Sequence, residues 1–254
     1  MAHHFYKIKE RIRYRINARH HKGFGIHSPY LFHFINSVIQ IKYPYYHFRQ
    51  IESLRKDLPP NYKSLRNIDF IARRRNKKEA HCGQIIFRII QDAQFKTLLE
   101  LGTNLGMETQ YMALANQKAR CITVTRSAEL AGLAQKRFQK QGLNHIELEI
   151  LQSEETLLKV IDKVDNLDFV LFNQSFISHD IPDLFNQCLL KKNNGSIFVF
   201  LGIHGRPEMT SVWKKIRTDK NVQVTMDLYN LGIVMFNPEL EKKNYVLRTK
   251  QSHI

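Results

Sequence analysis

Between Leu98 and Gly106 the chain reads Leu-Leu-Glu-Leu-Gly-Thr-Asn-Leu-Gly, an acid closing an apolar run and two glycines spaced four apart. Glycine lets a backbone approach a ligand closely, and a helix that starts behind such a turn offers free N–H groups to an anionic group. Glu100 brings a carboxylate to that turn and Thr103 a hydroxyl. An ordinary structural turn uses the same residues, so the segment takes its meaning from its place in the fold. Two histidines follow later apolar runs: His179 in Ser178-His179-Asp180, and His204 in Gly202-Ile203-His204-Gly205-Arg206. Imidazole in such a loop suits general-base work near neutrality. For each, a solvated loop histidine is the competing reading. Asn173 ends another apolar run, where it can hydrogen-bond a substrate amine or hydroxyl, or simply cap a strand.

The elements that must position these residues alternate in type. Thr97 to Leu101, Cys121 to Thr125, Ile146 to Leu151, Leu167 to Phe172 and Gly195 to Leu201 read as strands. Helical spacing of apolar residues fills the intervals at Thr109 to Lys118, Ala128 to Gln141, Leu157 to Lys163 and Ile181 to Leu190, and recurs at Met209 to Arg217. This alternation implies βαβ units and a doubly wound, mostly parallel sheet of seven strands, whose ligand sites lie beyond the strand carboxyl ends. Val222 to Leu228 and Gly232 to Phe236 are separated by Tyr229-Asn230-Leu231 alone, too short for a crossover, and should form an antiparallel hairpin.

The 254 residues, 43% hydrophobic and 24% charged, suit one folded domain with an attached segment. The formal charge of +16 is unevenly spread. Residues 1–90 hold 19 basic and 5 acidic side chains, and the remainder is close to neutral. This first third reads as a helical extension, residues 1–83, preceding an α/β domain over 84–254. Within it, Tyr30 to Ile41 reads as an apolar helix capped by Ser28-Pro29, Leu58-Pro59-Pro60-Asn61 as a break, and Arg73 to Lys78 as a charge run before a helix at Gln84 to Asp92. Three readings of the basic charge stand. It can be a solvated face. It can contact RNA phosphate or an acidic partner, with Tyr6, Tyr14, Tyr43, Tyr45 and Tyr46 available to stack on bases. Or it can be an amphipathic helix on an anionic membrane surface, with Phe5, Ile8, Ile12 and Ile16 as its apolar stripe. Cys82, Cys121 and Cys188 are too scattered for a disulfide framework or a zinc cluster, which fits a cytoplasmic setting. No apolar run is long enough to span a bilayer, and the basic residues interrupt any leader-like core.

The chain resembles the class I S-adenosylmethionine-dependent methyltransferases, and within them a bacterial group similar to small-molecule O-methyltransferases. The resemblance rests on Arg19 to Pro29, Leu98 to Gly106, Asn144 to Leu148, Leu167 to Val170, Ile203 to Trp213 and the closing Val224 to Leu228 with Gly232 to Phe236. It implies that Glu100, Gly102, Thr103 and Gly106 form the loop against the methionine part of S-adenosylmethionine, and that Asp168 is the leading acid of the fourth strand. Three positions depart from the family. Thr125, followed by Arg126, stands where an acid usually binds both ribose hydroxyls, which weakens the expected affinity by a few kcal/mol. Asn173-Gln174-Ser175-Phe176 replaces Asp-Gly-Asn-His. Leu201-Gly202 replaces a pair of acids that in metal-dependent relatives hold a divalent cation, so no metal is expected.

Two functions follow. One is metal-independent methyl transfer from S-adenosylmethionine to an acceptor the sequence does not name, with His204 and Asn173 as the catalytic candidates. The other is a non-catalytic binding or scaffold protein that has kept the sheet and lost the chemistry.

Overall fold

The computed structural model describes residues 2–21, 23–54, 77–173 and 180–248. Its centre is a nine-stranded sheet in the order β1-β9-β7-β8-β6-β5-β2-β3-β4. The expected strands are β2 (Thr97–Leu101), β3 (Arg120–Thr125), β4 (Ile146–Ile150), β5 (Leu167–Phe172), β6 (Lys192–Leu201), β7 (Val224–Asp227) and β8 (Leu231–Met235). β7 and β8 pair antiparallel, as the short connection requires. Two strands correct the expected seven. β1 is His20–His21 and β9 is Lys243–Arg248; they pair parallel with each other, and β9 continues the sheet beyond β7. β1, two residues long, has no sequence signature of its own; β9 has a short one in Tyr245-Val246-Leu247, which alternate in burial between the charged ends Lys243 and Arg248. Among the described strands only β8 runs against the rest, so eight carboxyl ends share one edge.

The central strands are buried on both faces, which is why they read as continuous apolar runs. Leu98, Phe169, Leu171 and Val199 face one core with Ile86, Ile89, Ile90 and Met112. Leu99, Leu101, Val170, Phe172, Phe198 and Phe200 face the other, which is closed by Trp213.

Helix α1 is Ala2–Asn17 and α2 is Pro29–His33, the latter capped by Ser28, whose hydroxyl accepts from Leu31 N. The expected single helix from Tyr30 to Ile41 is divided, because Phe34–Ile39 is a π-helical segment. Arg88, buried in the core, donates to the carbonyls of Val38 and Ile39 at its end, satisfying groups that a wider helix leaves free. Helix α3 is Tyr46–Leu54 and α4 is Lys77–Ala93. The boundary expected at 83/84 falls inside α4, which runs through it unbroken. There Gly83 permits close approach: a Cβ on it would lie 2.4 Å from the ring of Tyr111 in the next helix. Helices α5 (Met107–Ala115), α6 (Ala128–Lys140), α7 (Glu154–Asp162), α8 (Ile181–Leu189) and α9 (Pro207–Ile216) complete the βαβ units. The break at Leu58 to Asn61 lies outside the described residues, as does most of the Arg73 to Lys78 run.

The amino-terminal segment is stitched into the body. β1 hydrogen-bonds to β9, the Tyr14 hydroxyl donates to the Leu247 carbonyl, and Tyr6 donates to Thr210 Oγ1 at 2.6 Å. No helix among the described residues is long and apolar enough to cross a membrane.

Candidate functional site

β2 is the first strand of the alternating series, and its neighbours β3 and β5 lie on opposite sides of it. Open α/β sheets bind ligands at such a reversal. The loop after β2 bends sharply there: Gly102 has φ +111°, Asn104 +48° and Gly106 +70°. The N–H groups of Gly102 and Thr103 both donate to Val124 O of β3, so those two amides are engaged within the fold. Gly106 opens α5 and cannot carry a side chain, since a Cβ would stand 2.5 Å from Phe138 on α6. Its glycine is therefore required by helix packing as well as by φ.

Beneath the loop Glu100 is fully buried. The sheet register sets it directly opposite Thr123 of β3, whose hydroxyl donates to Oε2 at 2.7 Å. Thr109, on the first turns of α5, donates to the same oxygen, and Thr103 Oγ1 lies 2.7 Å from Thr123 Oγ1. Burial lifts the Glu100 carboxyl from an ordinary 4.5 to about 8, against the opposing pull of the Thr109 and Thr123 hydroxyls and a weaker one from Asn173. Its Oε1 is buried without a hydrogen-bond partner.

Asn173 follows β5 and is almost fully buried, with its N–H donating to Leu101 O across the reversal. Thr125 ends β3 with its hydroxyl accepting from Ser127 N, a turn that leads into α6. Arg126 crosses to Asp180, just before α8, at 2.8 Å. Since α8 follows β5 and Arg126 follows β3, this pair straddles the carboxyl end of β2. His179 lies outside the described residues. Asp168 proves to be at the opposite edge, where it accepts from Lys96 N, Thr97 N and Asn193 Nδ2 and clips together the starts of three strands.

His204, after β6, sits in a second cluster, with its side chain only 11% exposed. Nε2 is 2.7 Å from Asp227 Oδ2 at the end of β7. Nδ1 is 3.3 Å from Glu10 Oε2 on α1, close enough for an ion pair though not aligned as a hydrogen bond. Tyr229 stacks on the imidazole with ring centres 5.4 Å apart, held at φ +71° by its N–H to Asp227 Oδ1. His204 thus bridges the extension and the sheet instead of facing an open cleft. Sequence reasoning missed Glu10, Asp227, Thr109 and Thr123. Glu10 carries one signal, as the lone acid of the first 46 residues. Among the described residues no three His, Cys, Asp or Glu side chains are placed to hold a metal ion.

The sequence matches no family model and no curated protein. Solved structures do resemble it. A putative O-methyltransferase from Klebsiella pneumoniae aligns with a TM-score of 0.57 at 13% identity, covering 81% of this chain and 94% of that one. TomG, an O-methyltransferase of tomaymycin synthesis from Streptomyces achromogenes solved with S-adenosylmethionine, gives 0.56 at 16%, covering 80% and 94%. The O-methyltransferase from Bacillus cereus in complex with S-adenosylhomocysteine gives 0.54 at 14%, covering 80% and 95%. The fold is that of the class I S-adenosylmethionine-dependent O-methyltransferases.

S-adenosylmethionine laid with its methionine part over the β2 loop would meet residues that suit it. Gly102 leaves the loop without a side chain at its turn, and the unpartnered Glu100 Oε1 is an acceptor suited to an ammonium group. At the ribose end the fit is poorer. Thr125 offers one hydroxyl, already accepting from Ser127, and the neighbouring Arg126 is paired with Asp180.

Proposed function

We propose that this protein is a methyltransferase that binds S-adenosylmethionine over the β2 loop and transfers methyl without a metal ion. The observation that carries this reading is the buried, unpartnered Oε1 of Glu100 beside a glycine turn at the sheet's reversal point. Bound there, the cofactor supplies a sulfonium methyl that an acceptor lone pair displaces in line. Such a displacement needs chiefly positioning. Glu100 releases its proton as it takes the ammonium of the methionine part, Gly102 allows the approach, Thr125 makes a single ribose bond, and Asn173 orients the acceptor. The end of β6, Leu201-Gly202, offers no carboxylate to a cation. His204 can accept an acceptor proton only if α1 moves away, because Glu10 and Asp227 flank both its ring nitrogens.

The alternative, a binding or scaffold protein, draws support from those same engagements of Thr125, Arg126 and His204. Titration calorimetry with S-adenosylmethionine and S-adenosylhomocysteine separates the two. Binding by wild type and none by Gly102→Val supports the cofactor site. No heat at millimolar ligand ends the enzyme reading, and unchanged affinity in Gly102→Val moves the site elsewhere.

A further inference from the structure

Helix α1 docks by the face opposite to the one an amphipathic helix normally buries. Tyr6, Glu10, Tyr14 and Ala18, four apart, turn inward: Glu10, Tyr14 and Ala18 are buried, and Tyr6 bonds to Thr210. Glu10 reaches His204 and Tyr14 reaches the backbone of β9. The apolar row Phe5, Ile8, Ile12 and Ile16 is left outside, at 68%, 45%, 55% and 67% exposure. At about 100° per residue, Lys9 and Arg13 fall along one side of this row and Arg11 and Arg15 along the other. The exposure is local. Among the described residues, ten of the thirteen exposed large hydrophobic side chains lie between Phe5 and Tyr46. Residues 1–46 hold eight basic side chains against Glu10 alone.

We infer that the outward face of α1 is a docking surface for an anionic lipid bilayer. The helix would lie in the interface plane, with Phe5, Ile8, Ile12 and Ile16 sunk to the base of the headgroups and the flanking Lys and Arg among lipid phosphates. Charge selects this occupant. A second copy would bring an equally basic segment against the first, and like charges oppose that pairing. Single-stranded nucleic acid favours exposed aromatic platforms. Here the outward row of α1 is mostly isoleucine, Tyr14 is buried and Tyr45 packs on Phe48 and Phe87, and the exposed Tyr43 and Tyr46 lie outside α1. A lipid surface uses both the aliphatic row and the cations beside it. The inference is independent of the methyltransferase reading, since it concerns a surface that does not contact the β2 loop residues.

The test is flotation of the full chain with vesicles of phosphatidylcholine alone and of equal parts phosphatidylcholine and phosphatidylglycerol. Binding is expected to the second at low salt and to weaken as salt rises. The triple variant Phe5→Ser, Ile12→Ser, Ile16→Ser should lose at least about tenfold in partitioning. The double variant Lys9→Glu, Arg15→Glu, which leaves the Arg13–Glu10 pair intact, should lose at least about tenfold as well. These side chains are exposed, so thermal unfolding should match wild type and separate lost docking from lost fold. Absence of binding to anionic vesicles at low salt overturns the inference, as does a triple variant that binds like wild type. A dimer in sedimentation equilibrium that the triple variant dissociates, or tighter binding to an RNA oligonucleotide than to the vesicles, reassigns the face and also overturns it.

Discussion

Glu10 and His204, from the first helix and the loop after β6, face each other across 3.3 Å, and Asp227 closes on the other imidazole nitrogen at 2.7 Å. The Asp227 contact is a hydrogen bond and the Glu10 contact an electrostatic approach, so the imidazole sits between two buried carboxylates. The cluster is therefore an electrostatic clasp joining α1, the loop after β6 and the end of β7. It ties α1 to the same sheet edge that carries the loop after β2.

The clasp predicts that His204→Ala is a stability variant before it is an activity variant. Removing the imidazole leaves Glu10 and Asp227 buried without their shared partner, at a cost of about 3 kcal/mol. Urea unfolding should show the loss, and limited proteolysis should cut within α1 sooner than in wild type. Wild-type stability with a large fall in turnover would instead make His204 the base.

Glu100 predicts a pH dependence. Burial raises its carboxyl to about 8 in the folded chain from 4.5 when exposed. Between those values the folded state holds a proton that the unfolded state has released. Stability contributed by this group is therefore complete below 4.5, falls as pH rises through the window, and levels off above about 8. Glu100→Gln carries no titrating group, so its stability measured from pH ~5 to ~9 should fall less steeply than that of wild type. Parallel curves would show that the carboxyl is ionised throughout.

Gly106→Ala should cost about 1–3 kcal/mol, because the new methyl meets Phe138 at 2.5 Å on a backbone already at φ +70°. Chemical denaturation reads this directly. A neutral result would mean that α5 and α6 separate without cost.

Thr125→Asp should tighten S-adenosylmethionine binding by about tenfold, since a carboxylate accepts charge-assisted bonds where the hydroxyl makes one. The Ser127 N–H that Thr125 now accepts can be taken by either side chain. Calorimetry checks it, and an unchanged or weaker affinity would show that the ribose does not lie at the end of β3.

The sheet was legible because strands buried on both faces must be apolar throughout, as Phe169-Val170-Leu171-Phe172 and Ile197-Phe198-Val199-Phe200 are. The turn at Gly102 to Gly106 was legible because positive φ favours glycine. The Ser28-Pro29 cap and the β7–β8 hairpin followed from equally local rules. Such features are encoded by a few adjacent residues, so the sequence by itself determined them.

Contacts between distant segments were decided by the tertiary structure alone. The pairing of His20–His21 with β9 depends on backbone groups that every residue possesses. The convergence of Thr103, Thr109 and Thr123 on Glu100 needs the β2–β3 register and the docking of α5 together. The apolar row of α1 reads in sequence as a face to be buried. It remains outside because Glu10 and Tyr14, on the opposite face, find buried polar partners that no isoleucine could satisfy.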